Sequence, residues 1–356
     1  MSDLGNSEDF SSIRYDELAN QLVIIDQREL PGNLVYIRLS SLDEIYQAIK
    51  TLAVRGAPAI GITAAWGMAI RFVHLADEYS IADSESMAII EDEFHEAMSF
   101  LSSSRPTAVN LPWALSRMEN CFMQCRNNGL SLLEMKHSLL DEAAAIQYED
   151  AMMCQAIAEN ALALLAPSMT LLTHCNAGSL ATAKYGTALA PIYLGQSREY
   201  GFRVFSTETR PLLQGSRLTV WELMNAGVDV TLICDSMAAH LMQVKGVDAI
   251  MVGADRVSAN GDTANKIGTL SLAIAAKHFS IPFYVLCPSS TIDNNTLTGA
   301  AIEIEERSGD EVRMLNSQRI APMNSKVYNP AFDVTPSSLI SAIITERGVY
   351  KQPYGF

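Results

Sequence analysis

Positive charge is scarce in this chain: 25 lysines and arginines stand against 40 aspartates and glutamates, and the 356 residues carry a net charge of −15. Phosphate backbones are held by basic faces, so this balance argues against a nucleic-acid partner. Apolar runs of membrane length are not expected either. Stretches such as Ala161 to Leu165 and Ala249 to Val252 fall far short of the roughly 20 residues a membrane span needs. The polar opening Met1-Ser2-Asp3-Leu4-Gly5 has no signal-peptide core, which makes the cytoplasm the expected location and a membrane partner unexpected. Cys121, Cys125, Cys154, Cys175, Cys234 and Cys287 show no zinc-type pairing and are too sparse for a disulfide scaffold. The four-residue step from Cys121 to Cys125 suits two small apolar residues on one helix face. No G-x-G-x-x-G follows a first strand, which speaks against a dinucleotide. The histidines other than His174 show no ligand spacing, and neither a metal nor a cofactor is inferred. There is no internal repeat and no low-complexity tract.

What remains is a chain that is 49% hydrophobic and 18% charged, the composition of a well-packed enzyme, and long enough for two domains. Leu22 to Asp26 and Leu34 to Arg38 flank a turn at Pro31-Gly32-Asn33, a hairpin signature. Helical patterns follow at Ser41 to Ala53, Pro58 to Leu75, Glu85 to Leu101 and Leu111 to Cys125. The pattern breaks at Asn127-Asn128-Gly129, and Ser131 with Glu134 has capping-box spacing for a long helix reaching toward Pro167. A mainly helical N-terminal domain with a β-hairpin is therefore expected over residues 1–129, and a second domain over 130–356. In the second, apolar runs at Leu171 to Thr173, Arg203 to Phe205, Val230 to Cys234, Ala249 to Val252 and Phe283 to Cys287 alternate with helical segments. That is the pattern of a Rossmann-like parallel sheet with helices on both faces, an α/β fold.

Two of these runs end in chemistry-bearing segments. Leu171-Leu172 leads into Thr173-His174-Cys175-Asn176-Ala177-Gly178, and Ala249 to Val252 leads into Gly253-Ala254-Asp255-Arg256. Open α/β sheets place their ligands at the carboxyl ends of such strands, so a thiol and a carboxyl meet at one crevice, an arrangement for acid/base work on a small phosphorylated molecule. An acidic protein handling phosphate must concentrate positive charge locally. Arg55, Arg105, Arg210, Arg217 and Lys266 all fall in glycine- or proline-marked motifs that can do so.

Each residue has a plainer reading beside the functional one. Gly56 permits close approach and Pro58 suits a helix start, so the helix after Arg55 can offer its free N–H groups to an anion; equally, Gly56, Gly61 and Gly67 can be packing glycines. Cys175 precedes a helix expected near Ala177-Gly178, whose N–H groups favour a thiolate while an apolar wall opposes it. His174 points to the other face of the strand and reads as a hydrogen-bonded structural histidine. Asp255 emerges from a water-poor strand end that raises a carboxyl pKa, as a proton donor requires; pairing with Arg256 is the alternative. Asn265-Lys266 is expected at the start of a helix over Ile267 to His278, where an amide and an ammonium can take sugar hydroxyls and phosphate. Gln214, in a loop with Gly215, offers an uncharged arm for a hydroxyl.

These segments, with Arg55 to Gly61, Arg105 to Leu111, Glu208 to Thr219, Asn260 to Lys266 and Asn329 to Pro336, make the chain resemble the methylthioribose-1-phosphate isomerases from about Gln21 to Val349. Ser179 and Ser216 stand where alanine is commoner, and the polar set is unchanged. The resemblance implies Cys175 and Asp255 as catalytic pair, with Asp255 the proton donor. It implies Arg55, Gly56, Ala57, Arg105, Gln214, Asn265 and Lys266 as substrate-binding residues, a sugar phosphate as partner molecule, and a homodimer. Two alternatives share it: a 5-deoxyribose-1-phosphate isomerase, and the non-catalytic regulatory subunits of translation initiation factor 2B. Retention of both Cys175 and Asp255 favours the enzyme.

Overall fold

The computed structural model describes residues 11–79, 83–105, 110–315 and 317–356. Its contacts divide the chain into two compact units. The first runs to Met152 and takes in Ser179–Lys184; the second comprises Met153–Gly178 and Tyr185–Phe356.

The first unit opens with an antiparallel sheet, β1 (Ile13–Asp16), β2 (Gln21–Ile25) and β3 (Tyr36–Leu39), in that order. The β2–β3 pair, in register Leu22↔Leu39, is the hairpin expected around Pro31-Gly32-Asn33; β1 is an added edge strand. Helices α1 (Leu42–Lys50), α2 (Ala57–Glu78), α3 (Ser84–Ser102), α4 (Asn110–Asn127) and α5 (Leu132–Leu162) follow. The Ser41/Glu44 and Ser131/Glu134 pairs close their helix starts reciprocally, each serine accepting the glutamate N–H while the glutamate carboxylate accepts the serine N–H. Helix α2 is long and apolar enough to cross a membrane by length and composition. Its apolar stretch is 83% buried inside the protein, and a helix that is apolar all round is a core element. Around it Phe72, Phe94 and Phe122 interlock, with Phe94 and Phe122 stacked at 4.4 Å, worth about 1 kcal/mol beyond the area they bury.

The break at Asn127–Gly129 forms a turn, yet the units divide within α5, between Met152 and Met153. The physical reason is the apolar stripe of α5: Met135, Leu139, Ala143 and Ile146 are buried in the first unit's core.

In the second unit, β4 (Thr170–Thr173), α6 (Ala190–Ser197), β5 (Arg203–Thr207), α7 (Val220–Asn225), β6 (Asp229–Ile233), α8 (Ala238–Val244) and β7 (Ala249–Val252) alternate. After them come β8 (Arg256–Ser258), β9 (Thr263–Lys266), α9 (Thr269–His278), β10 (Phe283–Leu286), β11 (Ile292–Asp293), α10 (Asp310–Arg313), β12 (Met314–Leu315), β13 (Gln318–Arg319), β14 (Phe332–Thr335), β15 (Ala342–Thr345) and β16 (Gly348–Tyr350). The central sheet has seven strands in the order β16-β15-β10-β7-β4-β5-β6, parallel except for β16. Alternation carries Leu171 and Met251 into one buried cluster and Leu172, Ile250 and Val252 into the other, so both faces are covered. This is the Rossmann-like α/β fold. A second sheet, β11-β8-β9-β14, stands at its carboxyl end.

Candidate active site

From β4 the chain builds outward in both directions, to β5 and β6 on one side and to β7, β10 and β15 on the other. Strands β4 and β7 therefore flank the point where strand order reverses, the place where open α/β sheets bind ligands. Thr173 is paired with Met251, so the two strands end level, and Cys175 and Asp255 follow their ends. The turns touch: a Cβ on Gly253 would lie 2.9 Å from Cβ of Ala177. The Asp255 N–H donates to the Ala264 carbonyl at 2.9 Å, drawing Asp255 against β9, while Arg256 pairs with Asp293 at 3.7 Å.

Cys175 is buried, with a φ of 63° in the left-handed region. Non-glycine residues adopt that conformation at a cost of about 1–3 kcal/mol, and it clusters at functional sites. Two threonines hold it. The Cys175 N–H donates to Thr209 Oγ1 at 2.9 Å, and its carbonyl accepts the Thr219 hydroxyl at 2.6 Å. Thr209, itself at φ 64°, is fixed by Asp235, whose carboxylate accepts the N–H groups of Thr209 and Arg210, each at 2.8 Å. No α-helix begins at Ala177-Gly178; the chain makes only a short 3-10 turn at Ser179–Ala181, and α6 starts at Ala190. The expected helix-terminal N–H groups are therefore not what surrounds the thiol.

His174 is buried and satisfied. Its Nε2 stands 2.9 Å from the Ile267 carbonyl and its Nδ1 2.6 Å from Thr207 Oγ1. A carbonyl only accepts, so geometry assigns the proton to Nε2, and the Thr207 hydroxyl donates to Nδ1. Burial holds the His174 pKa below the ordinary imidazole value, in keeping with this neutral tautomer. With Thr207 and Thr209 joined at 3.1 Å, a hydrogen-bonded chain runs from the Cys175 N–H to His174.

Gln214 precedes a π-turn, Gly215–Thr219, that leads into α7. Such turns are rare and frequent at functional sites. The side chain is 5% exposed, and among the described residues its Oε1 has no hydrogen-bond partner. An acceptor left so costs about 1–3 kcal/mol, which points to a donor supplied by a ligand. Gln214 and Lys266 line one hollow, with Arg307, Glu311, Asn329 and Ala331. Lys266 Nζ donates to the Ala331 carbonyl at 3.1 Å and lies 4.6 Å from the Phe332 ring centre. Asn265 Nδ2 donates to Thr269 Oγ1 at 3.0 Å. Asn265 and Lys266 end strand β9 rather than opening a helix; α9 begins only at Thr269.

In the first unit Arg55, Gly56 and Ala57 form the start of α2. Gly56 is the N-cap at φ 99°, and a Cβ there would lie 2.5 Å from Ala181, so this glycine answers both to conformation and to packing. Arg105 follows α3; Pro106 to Val109 of its motif lie outside the described residues. Arg210 is engaged by its own surroundings. Its guanidinium donates to the carbonyls of Pro211, Glu311, Val312 and Met314, tying its loop to α10. Sequence reasoning missed Thr209, Thr219, Glu222, Arg307 and Glu311. Only Thr209 and Thr219 carried a local signal, as polar residues inside the Glu208 to Thr219 motif. Among the described residues, no group of three or more His, Cys, Asp or Glu side chains stands together as a metal site.

The same chain is 55% identical to a methylthioribose-1-phosphate isomerase of Symbiobacterium thermophilum, over 96% of this chain and 93% of that one. It is 51% identical to a 5-deoxyribose 1-phosphate isomerase of Petrotoga mobilis, over 96% of each. Among solved structures, the 5-methylthioribose 1-phosphate isomerase of Pyrococcus horikoshii superposes with a TM-score of 0.88 at 41% identity, covering 97% of this chain and 93% of that one. Residues 53–352 match the initiation factor 2 subunit family, and the chain belongs to that family.

Proposed function

We propose that the chain is an aldose–ketose isomerase that converts 5-methylthioribose 1-phosphate to 5-methylthioribulose 1-phosphate, a step of methionine salvage. The observation that carries this reading is the meeting of the Cys175 and Asp255 turns at the switch point of the sheet. The phosphate on the anomeric oxygen prevents spontaneous opening to an aldehyde, so the enzyme must assist ring opening and move hydrogen from C2 to C1. Asp255 is the proton donor to the ring oxygen, and Cys175 acts at the migrating hydrogen. Either a proton passes through a side chain, or a hydride moves directly and the surroundings shelter a cation-like intermediate. Gln214 accepts a sugar hydroxyl, Asn265 binds substrate as well, and Lys266 takes phosphate; Arg55, Gly56, Ala57 and Arg105 are read as further substrate-binding residues. The reading includes a homodimer in the cytoplasm.

The 51% identity to the Petrotoga mobilis enzyme favours 5-deoxyribose 1-phosphate as the second substrate to try, since it differs only at C5. A non-catalytic assembly role, as the family name suggests, leaves Cys175 and Asp255 without work. Turnover of both sugar phosphates by the parent, Cys175→Ser and Asp255→Asn tests all three readings. Loss of turnover in both variants with retained substrate binding is expected. A parent that turns over neither sugar would leave the assembly role standing.

A further inference from the structure

Glu222 is a buried carboxylate, 4% exposed, on α7 just beyond the π-turn. Its Oε1 accepts the Asn176 side-chain amide at 2.6 Å and its Oε2 accepts the Tyr193 hydroxyl at 2.9 Å. Oε2 also lies in the space that a side chain on Gly178 would fill. The same Asn176 amide donates its second hydrogen to Thr219 Oγ1 at 3.2 Å, which leaves the Thr219 proton for the Cys175 carbonyl at 2.6 Å. The donors and acceptors thus run in one direction, from Tyr193 and Asn176 into Glu222 and from Asn176 through Thr219 to Cys175. Thr219 and Glu222 are three residues apart and face the same turn. A peptide held at φ 63° needs such outside restraint to stay there.

From this geometry we infer that Glu222 is a positioning residue for the isomerase: it anchors Asn176 and thereby fixes the Cys175–Gly178 turn in which the thiol is aimed. This rests on the catalytic reading of Cys175. The role is that of an acceptor of fixed reach. A glutamine side chain in the same place keeps an oxygen for Asn176, and the Tyr193 hydroxyl turns to accept from the new amide.

The test measures kcat, KM and the rate at which iodoacetamide alkylates Cys175, followed by peptide mass. Glu222→Leu should lower kcat about 100-fold, as a displacement near 1 Å does, with KM within about two-fold, because Gln214 and Lys266 are untouched. Its Cys175 alkylation rate should change several-fold. Glu222→Gln should stay within about five-fold of the parent in kcat. Glu222→Asp, one methylene short, keeps a carboxylate in the cavity and should lose about ten-fold in kcat, which keeps the test open if the leucine variant fails to fold. A folded Leu or Asp variant with parental kcat and parental alkylation rate would overturn the inference, as would a Gln variant as impaired as Leu. Cys175→Ala separates the two layers. Full activity there sinks the catalytic reading itself, whereas an inactive Cys175→Ala beside an active Glu222→Leu sinks only the positioning role.

Discussion

Gly215 packs directly against the carbonyl of Thr207, so closely that a Cβ at that position would overlap the oxygen and crowd the Thr209 hydroxyl as well. The start of the π-turn is thereby seated on the end of β5. Gly215→Ala should push the turn off its seat and destabilise the protein by about 1–3 kcal/mol, the usual cost of overpacking. The urea unfolding midpoint reads this, and an unchanged midpoint with parental activity would contradict the seating.

Gln214 is predicted to trade stability for function. Replacing it with methionine, of similar length, removes an acceptor that has no partner among the described residues. The variant should be as stable as the parent or more so, by up to about 1–2 kcal/mol. Its KM for the sugar phosphate should rise about ten-fold or more. A lower melting temperature with unchanged KM would assign Gln214 to the scaffold.

Lys266→Met keeps the aliphatic stem over Phe332 and removes the ammonium. KM should rise about 100-fold, and inhibition by inorganic phosphate should weaken in parallel. An unchanged KM would move the phosphate elsewhere.

Asp150, on α5, accepts the Ala183 N–H at 2.7 Å, and burial pushes its pKa up from 3.8 to about 7. The folded pKa lies above the unfolded one. The contribution to stability is therefore full below about pH 4 and is lost as pH rises through 7. Asp150→Asn preserves an acceptor and abolishes the titration. Relative to the parent it should gain stability between pH 4 and 8, on the order of 3–4 kcal/mol in total. Parallel stability–pH curves for the two proteins would show that the carboxyl is not the titrating group.

Much of the architecture was legible because its signals are local. The five apolar runs from Leu171 to Cys287 became β4, β5, β6, β7 and β10, and the Ser131/Glu134 spacing marked the start of α5. Strand β15 was not named, although Ile343 and Ile344 are apolar and β-branched. Strand β9 was not legible. Thr263-Ala264-Asn265-Lys266 has the composition of a loop, and all four residues are buried only because β8 and β14 pair with it on either side. The sequence therefore led Asn265 and Lys266 to be expected on a helix. The grip on Cys175 lies deeper still. Thr209 and Thr219 reach Cys175, and Glu222 reaches Asn176, across 34 to 46 positions of chain, and only the parallel pairing of β4 with β5 and the π-turn beyond β5 bring them together. Arg210, counted in the sequence among the local positive charges, gives hydrogen bonds to backbone carbonyls that no sequence pattern announced.

The six residues Ser179–Lys184 have a consequence for modularity. They leave and return within a few residues of Cys175, yet Leu180, Ala181 and Ala183 are buried in the first unit, with Ser12 Oγ donating to the Ser179 carbonyl and Gln27 Nε2 to that of Leu180. Cutting the gene near Met152 would not yield two self-sufficient pieces, because the amino-terminal piece would lack part of its own interior. Chimeras that exchange halves between relatives must move this short stretch with the amino-terminal half, although it is encoded in the other.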